Sequence, residues 1–231
     1  MTGHDSLADS GIRDPFDTLH RALWIGGGQW AGKSTVARLL AVQYGVTAYH
    51  YDYHDARGHN DRRIARRLSL GEPATEPDLD KVWVHSTPQE MATETLAGFP
   101  ARFEWALDDL RALVSGHPII AEGWGLRPEL VAPLIDSPRR MVVMVPTPEF
   151  RRHQLRELPR AASLGHRVSD PLRAQANRLA RDHLVAQDAV RTAHQLGIRV
   201  IEVDGSRDAA ATAQTVADHF SPYLPRLHRE A

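Results

Sequence analysis

The sequence predicts a three-layer α/β domain built on a five-stranded parallel sheet. Five short apolar runs alternate with segments of helical periodicity. Runs that are apolar throughout, rather than at every second residue, are typical of parallel strands covered on both faces. A length of 231 residues allows one substantial core, and no linker divides the chain. We therefore expect a single domain over residues 19–231, preceded by a flexible tail at residues 1–18.

The predicted strands are followed by glycine, proline or acidic residues. Glycines follow the first strand, and Pro146 closes the fourth. Asp52 follows the second strand, Glu122 the third, and Asp204 with Gly205 the fifth. The five strands span residues 22–25, 46–51, 118–121, 141–145 and 198–203.

Helical periodicity fills the intervals between these strands. Residues 33–44 place Val36, Leu39 and Leu40 on one face before the Gly45 stop. A long insertion at residues 55–116 contains a basic segment, a proline-rich stretch and two predicted helices, the second at 99–114. An arginine-rich, lid-like segment follows the fourth strand at residues 148–170, and a long helical pattern then runs to about residue 196.

Composition excludes several classes of protein. The formal net charge is −1, so no overall basic field favours nucleic acid or anionic membranes. Cysteine is absent, which excludes disulfides and thiolate chemistry. No run approaches the roughly 18 apolar residues of a membrane helix, and the polar amino terminus lacks a signal pattern. We expect a cytoplasmic protein, monomeric or homodimeric, without nucleic-acid or membrane partners.

The strongest motif is a glycine-rich phosphate loop. Gly-x-x-x-x-Gly-Lys-Ser matches at residues 27–34, with Thr35 next, between an apolar strand and an amphipathic helix. Glycines let backbone N–H groups converge on phosphate oxygens. The helix end carries only about +0.5 charge, so Lys33 supplies a full charge and Ser34 a hydroxyl ligand for Mg²⁺. The predicted cofactors are ATP and Mg²⁺, bound by Gly28, Trp30, Ala31, Gly32, Lys33, Ser34 and Thr35.

The motif alone leaves the class of nucleotide-binding protein open. Many P-loop ATPases end an apolar strand in the carboxylate that polarises water, and here a single Glu122 is followed by Gly123. Such a glutamate can hold Mg²⁺ but does not identify a hydrolase. An ATPase that acts as a nucleotide-dependent switch or partner-binding module is the main alternative to a phosphotransferase. A nucleotide-binding protein without catalysis is the third possibility.

The order of its motifs makes the chain resemble the P-loop small-molecule and nucleotide kinases. This group contains shikimate, gluconate, adenylate and chloramphenicol kinases. The likeness comprises the loop, the acidic residues after strands two and three, the arginine-rich segment and the turn at residues 203–206. It implies strand order 2-3-1-4-5, a mobile lid and an acceptor site over the carboxyl ends of the strands. We expect the insertion at residues 55–116 to form most of the acceptor pocket. The expected activity is ATP-dependent phosphorylation of a hydroxyl on a nucleoside, a sugar or an antibiotic-like molecule.

The resemblance also suggests roles for individual residues. Asp52 is the preferred catalytic carboxylate, facing the γ-phosphate, and Asp55 either replaces it or binds acceptor hydroxyls. Glu122 is expected at Mg²⁺ and the acceptor, and His54 and Trp124 at the acceptor. Asp204 and Gly205 occupy the position where related kinases pack adenine. Catalytic arginines are sought among Arg151, Arg152, Arg156, Arg160, Arg178 and Arg181, with Arg156 and Arg181 preferred.

Three histidines, His50, His54 and His59, surround the aspartates of the second strand's end. A transition-metal site would need three converging ligands. A strand and its following turn need not point these side chains together, so we favour a substrate contact by His54 over a metal site.

Overall fold

The computed structural model describes residues 13–72, 78–157 and 167–226. Its centre is a five-stranded sheet of order β2-β3-β1-β4-β5, in which every neighbouring pair is parallel. This confirms the α/β class and the strand order 2-3-1-4-5. The strands, numbered along the chain, are β1 Leu23–Gly27, β2 Thr47–His50, β3 Ile119–Glu122, β4 Met141–Pro146 and β5 Arg199–Val203.

Helices cover both faces of the sheet, which makes three layers. Short helical turns, one of π type at Lys81–His85 and two of 3₁₀ type at Ala132–Leu134 and Pro138–Arg140, complete the described elements. The α-helices are α1 Thr18–Arg21, α2 Lys33–Tyr44, α3 Tyr51–Asp55, α4 Gly58–Ser69, α5 Pro88–Arg111, α6 Pro128–Val131, α7 Pro148–Glu157, α8 Pro171–Gln195 and α9 Ala209–Phe220.

Two apolar cores flank the sheet because alternate strand residues point to opposite faces. Trp24 of β1 joins Phe103 and Leu110 of α5 in one core. The next residue, Ile25, joins Leu40 of α2 and Phe220 of α9 in the other. All five residues of β1 are buried, so the central strand carries its loop out of the middle of the molecule.

The second strand is shorter than predicted. It ends at His50, and residues 51–55 form α3, so Asp52 lies in the first turn of a helix. The reason is the sheet edge: β2 has β3 as its one neighbour, and their pairing stops at His50 and Glu122, where β3 itself ends. Tyr51 then turns into the core, where it is fully buried.

The second helix of the insertion starts earlier than the predicted residue 99. Helix α5 has 24 residues and begins after Thr87, whose side chain accepts a hydrogen bond from the Glu90 N–H. The Glu90 carboxylate accepts in return from the Thr87 N–H, which completes a capping box. Pro100 lies inside this helix. The capping box at Thr87, and not Pro100, therefore determines where α5 begins.

The packed domain includes residues before the expected residue 19. The Asp14 carboxylate accepts hydrogen bonds from the N–H groups of Thr18, Leu19 and His20, at 2.9, 2.8 and 3.0 Å. Thr18 and Leu19 are buried, so the last residues assigned to the tail belong to the domain. Within the described ranges, no helix has the length and apolar character needed to cross a membrane.

Candidate active site

The phosphate loop leaves β1 through a backbone that its glycines make possible. Gly27 has φ 112°, and a Cβ there would lie 2.2 Å from the Met144 carbonyl oxygen of β4. Gly32, with φ 77°, directly precedes α2. Trp30, inside the loop, also has positive φ, at 69°, a conformation costly for a bulky residue. Such an outlier is what a loop wrapped around a ligand is expected to contain.

Lys33 is held over the loop as the motif predicts. Its side chain is buried, and Nζ donates a hydrogen bond to the Gly28 carbonyl oxygen at 2.7 Å. A lysine is rarely buried without a charge partner, and the Asp52 carboxylate interacts electrostatically with this one. Ser34 and Thr35, which follow it in the first turn of α2, are exposed. The loop therefore fits a phosphate group.

Two carboxylates, Asp52 and Glu122, interact electrostatically at the ends of neighbouring elements. Glu122 is 1% exposed; its Oε1 lies 2.8 Å from His50 Nδ1, the residue paired with it in the sheet register. Glu122 Oε2 is buried and has no hydrogen-bond partner among the described residues. An unpartnered buried carboxylate oxygen is a site where a hard cation such as Mg²⁺ fits. With the Ser34 hydroxyl, it supplies the oxygen ligands that this ion prefers.

Burial raises the pKa of Asp52 to about 6. The Lys33 ammonium opposes this rise, and the Glu122 carboxylate adds to it. Asp52 Oδ1 accepts a hydrogen bond from the Trp124 N–H at 3.1 Å, which fixes its direction. Gly123 between these residues is required, because a Cβ there would lie 2.6 Å from Tyr51 Cβ and 3.0 Å from Asp52 Oδ1. A carboxylate with a pKa near neutrality can accept a proton.

Asp55 is engaged elsewhere. Its Oδ2 lies 3.1 Å from Arg102 Nη1 and its Oδ1 4.0 Å from Arg63 Nη1. Arg102 is locked further by donating to the carbonyl oxygens of Gly98 and Thr95. Between the two aspartates considered for the base, the geometry favours Asp52 and gives Asp55 the task of orienting Arg102.

His54 faces a separate cluster around Asp109. Its ring stacks on Tyr49 at 4.6 Å, and its Nδ1 lies 3.4 Å from Asp109 Oδ2. The same oxygen accepts from the Tyr49 hydroxyl and lies 2.8 Å from His59 Nε2. Among described residues, no three histidine or acidic side chains are arranged to hold a metal ion. The three histidines thus divide between Glu122 and Asp109.

Arg181 of α8 lies beside Trp124. Its guanidinium is 5.1 Å from the ring centres of both Trp124 and Trp83, and its Nε is 2.7 Å from Asp182 Oδ1. These two atoms form an ion pair without the alignment of a hydrogen bond. Asp182 is itself buried and fixes the arginine. Of the two preferred arginines, Arg181 thus contacts the ring of Trp124, the residue whose N–H binds Asp52.

The other lid candidates lie on or after α7. Arg151 is half-buried and donates to the Leu179 carbonyl oxygen of α8. Arg152 pairs on the surface with Glu149, and Arg156 is exposed. Arg160 and the rest of residues 158–166 lie outside the described residues. Neither surface arginine contacts the carboxylates described above, and Arg178 lies with Arg181 on α8.

A cavity of about 290 Å³ adjoins the phosphate loop on the α9 side. Trp30, Gly32 and Thr35 of the loop region face Phe150 and Gly205 across it. A Cβ on Gly205 (φ 84°) would lie 2.7 Å from the Phe150 ring, so the expected position for a nucleotide base contains a required glycine. Asp204 does not line this cavity; its Oδ1 accepts from the N–H and hydroxyl of Ser206.

A second cavity, of about 590 Å³, lies on the other side, beyond Trp124. Thirteen of its fourteen lining residues come from the insertion at residues 55–116, and the fourteenth is Arg181. Trp83 and Trp105 contribute aromatic surface, and Arg66 and Arg102 positive charge. The sequence did not single out these four, because they meet only through the packing of α4, the π-helical turn and α5. His50 was also missed as a partner of Glu122, although the parallel register determines that pair.

Comparisons with known proteins give a likeness in fold. No model of a known protein family matches the sequence, and neither does any curated protein. Among solved structures, a gluconokinase from Sinorhizobium meliloti 1021 is similar at 13% identity and a TM-score of 0.40, over 89% of this chain and 94% of its own. A shikimate kinase from Aquifex aeolicus vf5 is similar at 13% identity and 0.38, over 86% and 95%. At these values the site must be judged from this chain's own residues.

Proposed function

We propose that this protein is an ATP-dependent phosphotransferase that phosphorylates a hydroxyl group of a small molecule. The observation that carries the proposal is the set of interactions that joins Asp52 to Lys33 of the phosphate loop and, through Trp124 and Arg181, to the larger cavity. Asp52 interacts electrostatically with Lys33 of the phosphate loop and accepts a hydrogen bond from Trp124. The Trp124 ring in turn packs against Arg181, which lines the larger cavity. Asp52, the proposed proton acceptor, is thus linked both to the phosphate loop and to the larger cavity.

Each residue of the site has its own part in the proposed reaction. Lys33 and the loop amides would bind the phosphate oxygens, and Ser34 with Glu122 would hold Mg²⁺. ATP·Mg²⁺, when bound, supplies the phosphoryl group. Asp52 accepts the proton of the acceptor hydroxyl at a carboxylate oxygen, and the Trp124 N–H keeps that carboxylate in place.

The larger cavity favours a kinase over a hydrolytic switch. A hydrolytic switch acts on water and needs no cavity of about 590 Å³, whereas a small-molecule acceptor binds in a cavity of about this size. Arg181 lines this cavity and is held by Asp182, and we propose that it stabilises the negative charge of the transferring phosphoryl group. A small-molecule acceptor is therefore the proposed partner.

The test is ADP formation by the purified protein with Mg²⁺·ATP and a panel of small alcohols. We expect a large rise in turnover with one acceptor class. Asp52→Asn should lower that turnover by about 10²–10⁴-fold, with ATP affinity retained in calorimetry. Asp61→Asn, an exposed aspartate in the first turn of α4, is the matched control and should leave turnover unchanged. ADP formation that is indifferent to every acceptor would favour the ATPase alternative.

A further inference from the structure

The larger cavity has an apolar, aromatic wall. Trp83 and Trp105 line it with Val82, Met91 and Leu70. Leu70 is 68% exposed, and both tryptophans are half-buried. Flat apolar side chains of this kind bind rings by offset or edge-on packing. The wall therefore suits a molecule with a flat apolar ring.

The same cavity has an excess of positive charge. Five arginines line it, against one acidic residue, Glu94. Carboxylates outside the cavity lining pair with two of the five arginines: Asp182 with Arg181, and Glu72 with Arg67. Asp55 is shared between two arginines, Arg102 at 3.1 Å and Arg63 at 4.0 Å, so one positive charge of this trio is unbalanced.

Arg66 adds a second unbalanced charge. Its guanidinium makes no ion pair with any residue in the part of the chain that the structure describes. It is one turn from Arg63 on α4, with Asn60 holding the Arg63 guanidinium at 2.8 Å. Two adjacent guanidinium groups whose charges are not fully balanced form a fork-like donor set for a carboxylate or phosphate group.

We propose that the acceptor is an anionic, ring-containing alcohol: its carboxylate or phosphate group binds Arg63 and Arg66, and its ring packs on Trp83 and Trp105. This inference rests on the proposed function, since it names the substrate class of the same site. The contacts from Arg181 through Trp124 to Asp52 connect the cavity with the catalytic carboxylate.

A neutral polyol fits the cavity less well. It would cover Leu70 and the two tryptophans with hydroxyl groups that find few partners there, and buried polar groups without partners are costly. It would also take water from the arginines without offering them a counter-charge. An anion on a flat ring satisfies both parts of the wall.

The proposal is tested by binding alone, without turnover. Four probes are titrated into the full chain in a calorimeter: benzoate, phenyl phosphate, benzyl alcohol and acetate. We expect benzoate and phenyl phosphate to bind about tenfold more tightly than benzyl alcohol, because each gains charge-assisted hydrogen bonds. Benzoate should also exceed acetate by about tenfold because it has the ring. The stronger of the two anions identifies the anionic group.

A pair of variants on one helix locates the effect. Arg66→Gln should remove most of the preference for benzoate over benzyl alcohol. Arg62→Gln, one turn away and outside the cavity lining, should keep it. Equal binding of charged and neutral probes, the same loss in both variants, or no binding of any probe would overturn the inference.

The result is separable from the test of the proposed function. Should the probes show the expected preferences while no alcohol stimulates ADP formation, the anion site stands and the phosphotransferase proposal falls. Should a neutral polyol be phosphorylated while the probes show no preference, the phosphotransferase stands and the anionic acceptor is wrong.

Discussion

Replacing Asp52 by asparagine should stabilise the protein while lowering its turnover. Ionised Asp52 is held where burial opposes its charge, and its pKa rises from the ordinary 3.8 to about 6. At 1.36 kcal/mol per pKa unit, this rise corresponds to about 3 kcal/mol. Asp52 is only half-buried by surface area, so solvent screens part of the effect. We expect Asp52→Asn to raise the free energy of unfolding by about 1–3 kcal/mol at pH 7.5.

The sign of the effect with pH distinguishes this cause from others. Below pH 3.8 the Asp52 carboxyl is protonated in both the folded and the unfolded chain, so it does not lower the free energy of unfolding. Between 3.8 and about 6 it ionises in the unfolded chain alone, and the cost of folding grows as the pH rises. Above about 6 the full cost applies. The gain in stability from Asp52→Asn should therefore fall to less than half on going from pH 7.5 to pH 4.5.

Urea unfolding of the nucleotide-free protein at these two pH values measures the gain, with the slope of the transition checked for constancy. The matched control is Asp55→Asn on the same helix. Asp55 balances Arg102 and Arg63, so its loss should destabilise the protein by about 2 kcal/mol. If Asp52→Asn destabilises the protein at pH 7.5, or stabilises it equally at both pH values, burial of a charge at Asp52 is the wrong explanation.

Three further results are expected. Lys33→Met should weaken ATP binding at least tenfold in calorimetry, since the loop loses its ammonium; undiminished affinity would contradict the assignment of the loop. Gly205→Ala should lower stability by about 1–2 kcal/mol more than Gly45→Ala in thermal unfolding. Both glycines have positive φ, but only a Cβ on Gly205 would collide with the Phe150 ring. Equal losses of stability would contradict this packing. The acid limb of the kcat/KM profile should have an apparent pKa near 6, that of Asp52, and a profile flat from pH 5 to 8 would remove Asp52 as the base.

The loop and the sheet could be predicted because their signals are local. The glycines and Lys33 follow an apolar strand in the chain itself, and each strand is one continuous run of residues. The short helix that begins at Tyr51 was not predictable, because β2 stops where its neighbour β3 ends, and nothing near Asp52 in the sequence reports that length.

The acceptor side depended on tertiary packing and was predictable only in outline. A basic insertion was visible in the sequence, but its arginines look alike as residue types. Only the packed helices distinguish Arg102, which is held by Asp55, from Arg66, which has no such partner in the described ranges. Trp83 lies in a π-helical turn, a form of local structure that apolar periodicity does not reveal.

The surroundings of Asp52 explain why this site lowers the stability of the folded protein. Lys33, Asp52 and Glu122 come from the start of a helix, the first turn of another and the end of a strand, and packing alone brings them together. A more stable arrangement would replace Asp52 by a neutral residue, and the chain would then lose a proton acceptor whose pKa lies near neutrality. The same burial that makes ionised Asp52 unfavourable makes it a stronger base than an exposed aspartate. Reduced stability and the proposed catalytic role of this position therefore have one cause.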